Sequence, residues 1–233
     1  MSTPSLTSFG PEQAAAYDER FAKFAPLRDA LHLLAGTVLA RLPEDARILC
    51  VGAGTGAELL ALGSRFPGWR FTAVEPSGAM LDRCRLKAEM AGMAERCEFH
   101  TGYLDSLPEG EPYHAATSIL VSQFVLDEEM RRGFFREIAG RVMPGGYLLN
   151  ADLSTDLASP LSAELFEVWL RLFEYADFTP EAIEGLRTAY GTDVAITPPE
   201  KIEAIIASAG FGTPTAFLQT GLIRAWFATR GAD

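Results

Sequence analysis

The chain has 233 residues, 48% of them hydrophobic and 22% charged, the composition of one large globular domain. With 20 Lys and Arg against 31 Asp and Glu, the formal charge is −11, which argues against a sequence-independent grip on nucleic-acid phosphates. No run of about 18 apolar residues marks a membrane span, and the polar start Met1-Ser2-Thr3-Pro4-Ser5 carries no secretory pattern, so a cytoplasmic protein is expected.

Residues 11–41 read as two helices. Pro11 and Pro26 suit first helical turns, and Leu27, Leu31, Leu34 and Val38 repeat at helical spacing. Tyr17, Lys23 and Arg28 stand near the break between the helices. These side chains suit either a solvated surface or a lid over the glycine loop that follows, with Lys23 near a ligand carboxylate.

Ile48-Leu49-Cys50-Val51 is a buried strand, followed by Gly52-Ala53-Gly54-Thr55-Gly56 and an apolar helix start at Ala57. Glycines allow a sharp bend and a close approach of ligand to main chain. The helix start offers unpaired N–H groups to an anion. A second strand from Trp69 to Val74 ends at Glu75 and Pro76, about 20 positions beyond the glycines, where an acid accepts hydrogen bonds from ribose hydroxyls. Ser77 caps the next helix, which carries Met80 and Leu81.

Cys97 to His100 is a short third strand, followed by a loop at Gly102-Tyr103-Leu104. The fourth strand is centred on residues 115–121 and leaves through Ser122-Gln123-Phe124. A helix follows from about Asp127 to Arg141, then a turn at Pro144-Gly145-Gly146 and a fifth strand from Tyr147 to Leu153. Residues 154–210 form an aromatic-rich helical block, and two strands around Thr220-Gly221 close the chain as a hairpin. Cys50, Cys84 and Cys97 lack metal-binding spacing, so neither a metal site nor a disulfide framework is expected.

Together the GxGxG loop, Glu75, the Pro-Gly-Gly turn and the terminal hairpin resemble the class I S-adenosylmethionine-dependent methyltransferases, over roughly Tyr17 to Arg230. The resemblance implies an α/β, Rossmann-like, doubly wound sheet of seven strands, the last antiparallel, with a helical cap insertion. One domain is expected, divided into a lid (1–41), a cofactor core (42–153), a cap (154–210) and a hairpin (211–233). It implies S-adenosylmethionine as cofactor, held by Tyr17, Lys23, Gly52, Ala53, Gly54, Gly56, Glu75, Pro76, Met80, Tyr103, Leu104, Val121 and Ser122. Gln123, Phe124, Trp169 and Phe173 are expected to wall the pocket of a small-molecule acceptor, in a monomer or homodimer.

Two departures bear on this. Tyr103 stands where many members carry an acid, so adenine is expected to be held by backbone and stacking. Ser122-Gln123 does not resemble the Asn/Asp-Pro-Pro-Tyr signature of nucleic-acid amino methyltransferases. Phe217-Leu218-Gln219 is similar to the carboxy-S-adenosylmethionine synthase branch, but Ile205 stands near that branch's arginine. A nicotinamide-dependent oxidoreductase also fits Gly52, Gly54, Ala57 and Glu75, although no Tyr-x-x-x-Lys pair is present. A binding protein without turnover is the remaining alternative. No strong catalytic base stands out; His100 is the weak candidate, and His32 and His114 are weaker still.

Overall fold

The computed structural model describes residues 10–232; the polar start of the chain lies outside the described residues. Strands β1 (Arg47–Val51), β2 (Arg70–Glu75), β3 (Cys97–Thr101), β4 (Tyr113–Ile119), β5 (Val142–Leu153), β6 (Thr215–Thr220) and β7 (Ile223–Thr229) form one sheet in the order β3-β2-β1-β4-β5-β7-β6. The pairs from β3 through to β5 are parallel. β7 runs antiparallel to β5 and also to β6, from which the short turn at Gly221 leaves no room for a crossover. This is the seven-stranded, Rossmann-like arrangement expected, with its last strand antiparallel.

Parallel strands covered on both faces read as unbroken apolar runs. Accordingly Ile48, Leu49, Cys50 and Val51 of β1 are all buried. Helices α3 (Ala57–Arg65) and α4 (Gly78–Met90) cover one face, where Leu59, Leu62, Leu81 and Cys84 join Ile48, Cys50 and Phe71 in one core. Helices α5 (Glu128–Arg141) and α8 (Pro199–Ala207) cover the other, through Phe135, Ile138, Ile202 and Ile206. Each such side chain contributes about 1.5–3 kcal/mol by leaving water.

β5 begins earlier than expected. Val142 already pairs with Tyr113, and the Pro144-Gly145-Gly146 segment is an irregularity inside the strand rather than a turn before it. Gly145 donates its N–H to the Arg230 carbonyl and Gly146 accepts from the Arg230 N–H, so the segment is held as part of the sheet.

Helix α2 (Ala25–Val38) and the Phe21–Phe24 turn that joins it to α1 (Pro11–Arg20) share a third core with the cap helices α6 (Pro160–Tyr175) and α7 (Pro180–Ala189). Rings link them. Phe21 lies 5.9 Å from Phe178, and Phe24 lies 4.9 Å from Phe173 and 6.3 Å from Trp169. The same core includes Ala151 and Leu153 at the end of β5 and Ile119 at the end of β4. Lid and cap therefore meet over the carboxyl ends of the strands, where open α/β sheets bind ligands.

Candidate cofactor and acceptor site

β1 lies between β2 and β4, so the strand order reverses there, the usual ligand crevice of such folds. The glycine loop leaves β1 at that point. Gly52 and Gly54 both have positive φ, 71° and 54°, a region costly for residues with a Cβ. Space matters as much as conformation. A Cβ on Gly52 would lie 2.4 Å from Val121 Cγ2, whereas one on Gly54 would meet only Met80 Cε at 3.8 Å. Gly52 is thus needed for packing, and Gly54 leaves an open face bounded by Met80.

Glu75 ends β2 beside this face. Its Oε2 accepts from Gly54 N–H at 3.0 Å and its Oε1 from Ser77 N–H at 2.9 Å. Burial raises its pKa, and these two backbone bonds oppose the rise. Each carboxylate oxygen has two acceptor positions, so the acid is oriented by the protein and keeps capacity for two hydroxyl donors. Pro76 is exposed at the turn and Met80 is buried beneath it.

α1 crosses the loop. Asp18 Oδ1 accepts from Thr55 Oγ1 at 2.8 Å, and Asp18 Oδ2 meets Lys87 Nζ of α4 at 2.5 Å. Tyr17 is half-buried beside them. Its hydroxyl pKa is raised first by burial, then by the negative charges of Asp18 and Glu75, which places it near Glu75. Lys23 turns elsewhere. Its ammonium binds Asp177 Oδ2 at 2.6 Å and the Tyr175 carbonyl at 3.0 Å, so it joins lid to cap instead of reaching the glycine loop as expected.

Tyr103 is 71% exposed, a ring left open beyond β3. Leu104 is buried in the core beside Phe135 and Ile138, and its carbonyl accepts from Arg141 and from Leu107 N–H. His100 Nε2 is 2.8 Å from Ser106 Oγ, which itself donates to the Tyr103 carbonyl. The candidate base is therefore part of the fastening of this loop. His114 Nδ1 accepts from Arg47 N–H, and burial pushes His32 down to about 4, so it is neutral near pH 7.

The end of β4 departs most from what its sequence suggests. Leu120 adopts φ 59°, a left-handed conformation that costs a branched residue about 1–2 kcal/mol. It is held by its N–H bond to the Ala151 carbonyl at 2.7 Å. Ser122 was expected to meet cofactor, yet its side chain is fully buried and donates to Asp152 Oδ2 at 2.6 Å. Gln123, expected in the acceptor pocket, is also buried. Its N–H binds Asp152 Oδ1, its Oε1 accepts from Leu153 N–H and its carbonyl accepts from Ala195 N–H in the cap.

Asp152 is the centre of this arrangement. Asn150 Nδ2 also donates to it, and Arg131 lies close enough for its charge to act on it. Burial still leaves its pKa raised. Arg131 donates to Val125 O and Thr197 Oγ1. Sequence reading missed Asp152, Arg131 and Asp18. A lone acid within the apolar strand Leu148–Leu153 was the available signal for the first.

Trp169 and Phe173 are buried in the cap core, where Trp169 Nε1 donates to Tyr190 OH. They do not form an open wall. Phe21, Phe124 and Phe178 remain half-buried around the same core. Among the described residues no group of three or more His, Cys, Asp or Glu could hold a metal ion. No described helix is long and apolar enough to cross a membrane.

Residues 48–146, from β1 to the Pro-Gly-Gly segment, match the family model of a methyltransferase domain. That segment, less than half of the chain, is similar to methyltransferase domains, and the sheet with its antiparallel β7 has the Rossmann-like methyltransferase arrangement. A biotin biosynthesis bifunctional protein BioHC of Teredinibacter turnerae is 31% identical over 135 residues, which is 55% of this chain and 22% of that protein. The aligned part thus spans about a fifth of that relative's length. Two solved structures agree with the methyltransferase domain in fold. A protein of Nostoc punctiforme assigned to the O-methyltransferases has TM-score 0.69 and 17% identity, covering 94% of this chain and 59% of its own. Human N-acetylserotonin methyltransferase, in complex with S-adenosylmethionine, has TM-score 0.65 and 16% identity, covering 95% of this chain and 56% of its own. β7, antiparallel between β5 and β6, departs from the usual 3-2-1-4-5-6 order of dinucleotide-binding sheets.

Proposed function

We propose that this chain binds S-adenosylmethionine and transfers its methyl group to a small aromatic or lipid-like acceptor by in-line displacement. The observation that carries the reading is Glu75, pinned by Gly54 and Ser77 beside the open face of the glycine loop. That arrangement fits an adenosine ribose, and the methyltransferase family match covers the same segment. Glu75 would take the ribose hydroxyls. The loop backbone at Ala53, Gly54 and Gly56 would face the methionine part, with Tyr17 and Val121 beside it. The ring of Tyr103 would lie on adenine. When bound, the cofactor supplies a sulfonium-activated methyl group, so the protein's task is to position the acceptor and exclude water.

Each remaining role falls to a group already described. Asp18 and Thr55 hold α1 over the loop and so exclude solvent. The Asp152 and Gln123 bonds fix the end of β4, where cofactor and acceptor would meet. Phe21, Phe124 and Phe178 offer apolar surface to the acceptor. The charge of −11 favours a small acceptor over nucleic acid. No side chain is assigned as a base, since His100 is engaged by Ser106. The human neighbour is named for N-acetylserotonin, in keeping with a small acceptor.

The test is calorimetry with S-adenosylmethionine and with NAD, followed by methyl-labelled cofactor offered to a panel of small phenols, amines and fatty acids. Cofactor binding with label in a small product is expected. Binding of NAD alone would support an oxidoreductase, and cofactor binding with no transfer to any acceptor would favour a binding protein.

A further inference from the structure

α6 presents two unlike faces. Its buried side carries Ser162, Trp169, Leu170 and Phe173. Its outer side carries Leu161 (82% exposed), Val168 (41%) and Tyr175 (69%), each seven positions apart, with Glu164 and Arg171 between them. At 3.6 residues per turn these five fall within an arc of about 80°, opposite the buried side. Leu157, exposed just before the helix, extends the same end, so four of the ten exposed large hydrophobics among the described residues belong to this one segment.

A seven-residue apolar repeat with charges between is the pattern of a helix that pairs with another helix. The arrangement is also self-complementary. Leu161 and Tyr175 each lie about 10 Å along the axis from Val168, on opposite sides. Glu164 and Arg171 lie about 6 and 4.5 Å from it, again on opposite sides. A two-fold axis near Val168 therefore brings Val168 onto itself, Leu161 onto Tyr175 of a second copy, and Glu164 onto Arg171 of a second copy, twice.

Charge permits the same occupant at this stripe. A chain of formal charge −11 repels its own copies over most of its surface. On this stripe Glu164 and Arg171 cancel, and the flanking Glu167 is paired with Arg187 of α7 at 2.5 Å. Tyr175 is kept in place by Lys23, whose ammonium stands 5.3 Å from its ring centre. We propose that the outer face of α6 is an antiparallel, two-fold interface between copies of this chain, with reciprocal Glu164–Arg171 pairs selecting the register.

Sedimentation equilibrium of the full chain over a concentration range tests this, with circular dichroism confirming that each variant is folded. The wild type is expected to dimerise. Glu164→Arg and Arg171→Glu, each alone, replace two attractions by two repulsions and should raise Kd by about tenfold or more. The double variant Glu164→Arg with Arg171→Glu should return Kd to within about twofold of wild type, because the reversed pairs are equivalent. A wild type that stays monomeric throughout, including one that instead retains an unrelated protein on this face, overturns the proposal. So does a dimer whose Kd ignores both single charge reversals.

Discussion

Asp18 and Thr55 are joined by a hydrogen bond of 2.8 Å, and this contact latches α1 across the glycine loop. Lys87 holds the other oxygen of the same carboxylate, so one side chain on the lid grips both the loop and α4. Removing it should free the lid without disturbing the sheet. Asp18→Ala is expected to cost about 0.5–1.5 kcal/mol locally and to raise amide exchange in residues 11–20. Hydrogen exchange by mass spectrometry checks this; protection in α1 equal to wild type would remove the latch.

Glu75→Ala should weaken S-adenosylmethionine binding by about 1.5–3 kcal/mol, the range for hydrogen bonds to a charged group. Glu75→Gln keeps acceptor capacity on only one atom and should fall between. Calorimetry on the two variants gives the order, and an unchanged Kd for Glu75→Ala would take the acid out of the site.

Lys23 gives the opposite expectation. Its ammonium is engaged by Asp177 on the exposed edge of the cap. Lys23→Ala should therefore leave cofactor affinity within about 0.5 kcal/mol of wild type, with stability changed by no more than the 0–1 kcal/mol of a surface pair. A tenfold loss of affinity in the same titration would return Lys23 to the cofactor site.

Glu58, in the first turn of α3, is buried and accepts a hydrogen bond from Thr117 Oγ1. Burial raises its pKa from 4.5 to about 7, against the opposing bonds from Thr117 and Cys50. The native state thus keeps this proton where the unfolded chain releases it. Its contribution to stability is complete below about pH 4.5 and is lost as pH rises to about 7. The loss is roughly 3 kcal/mol at 1.36 kcal/mol per unit. Glu58→Gln should remove that slope and be the more stable protein at pH 8. Urea unfolding of both proteins between pH 5 and 8 measures it; parallel curves would refute the assignment.

Arg131 is buried, donates to Val125 O and Thr197 Oγ1, and lies near enough to Asp152 for its charge to act on that acid. Arg131→Met removes both bonds and the nearby positive charge and should destabilise the fold by about 1.5–3 kcal/mol. Denaturant midpoints provide the measurement, and a loss below about 1 kcal/mol would mean that Asp152 is held by Ser122, Asn150 and Gln123 alone.

Much of this molecule is local in origin. The apolar run Ile48–Val51, the alternate glycines and the acid after Val74 each follow from the backbone needs of one strand, one turn and one strand end. The neighbouring residues impose those needs, so they are readable along the chain. The antiparallel pairing of β6 with β7 was legible for the same reason, since a two-residue connection admits no other direction.

Side-chain destinations were not local. Lys23 looked like a carboxylate ligand because charge and position along the chain agreed, but Asp177, 154 residues away, captured it. Ser122, Gln123, Trp169 and Phe173 had the right residue types for a pocket and were instead buried. Which face of the β4 exit points inward was set by Asp152 on another strand, and the cap rings were drawn inward by Phe24 and Tyr190. Sequence by itself determined the strands, the glycine loop and the acid that ends β2, because those depend on neighbours in the chain. Only the tertiary structure decided which polar groups remained available for chemistry, because a buried acid takes the nearest donors in space, whatever their distance in sequence.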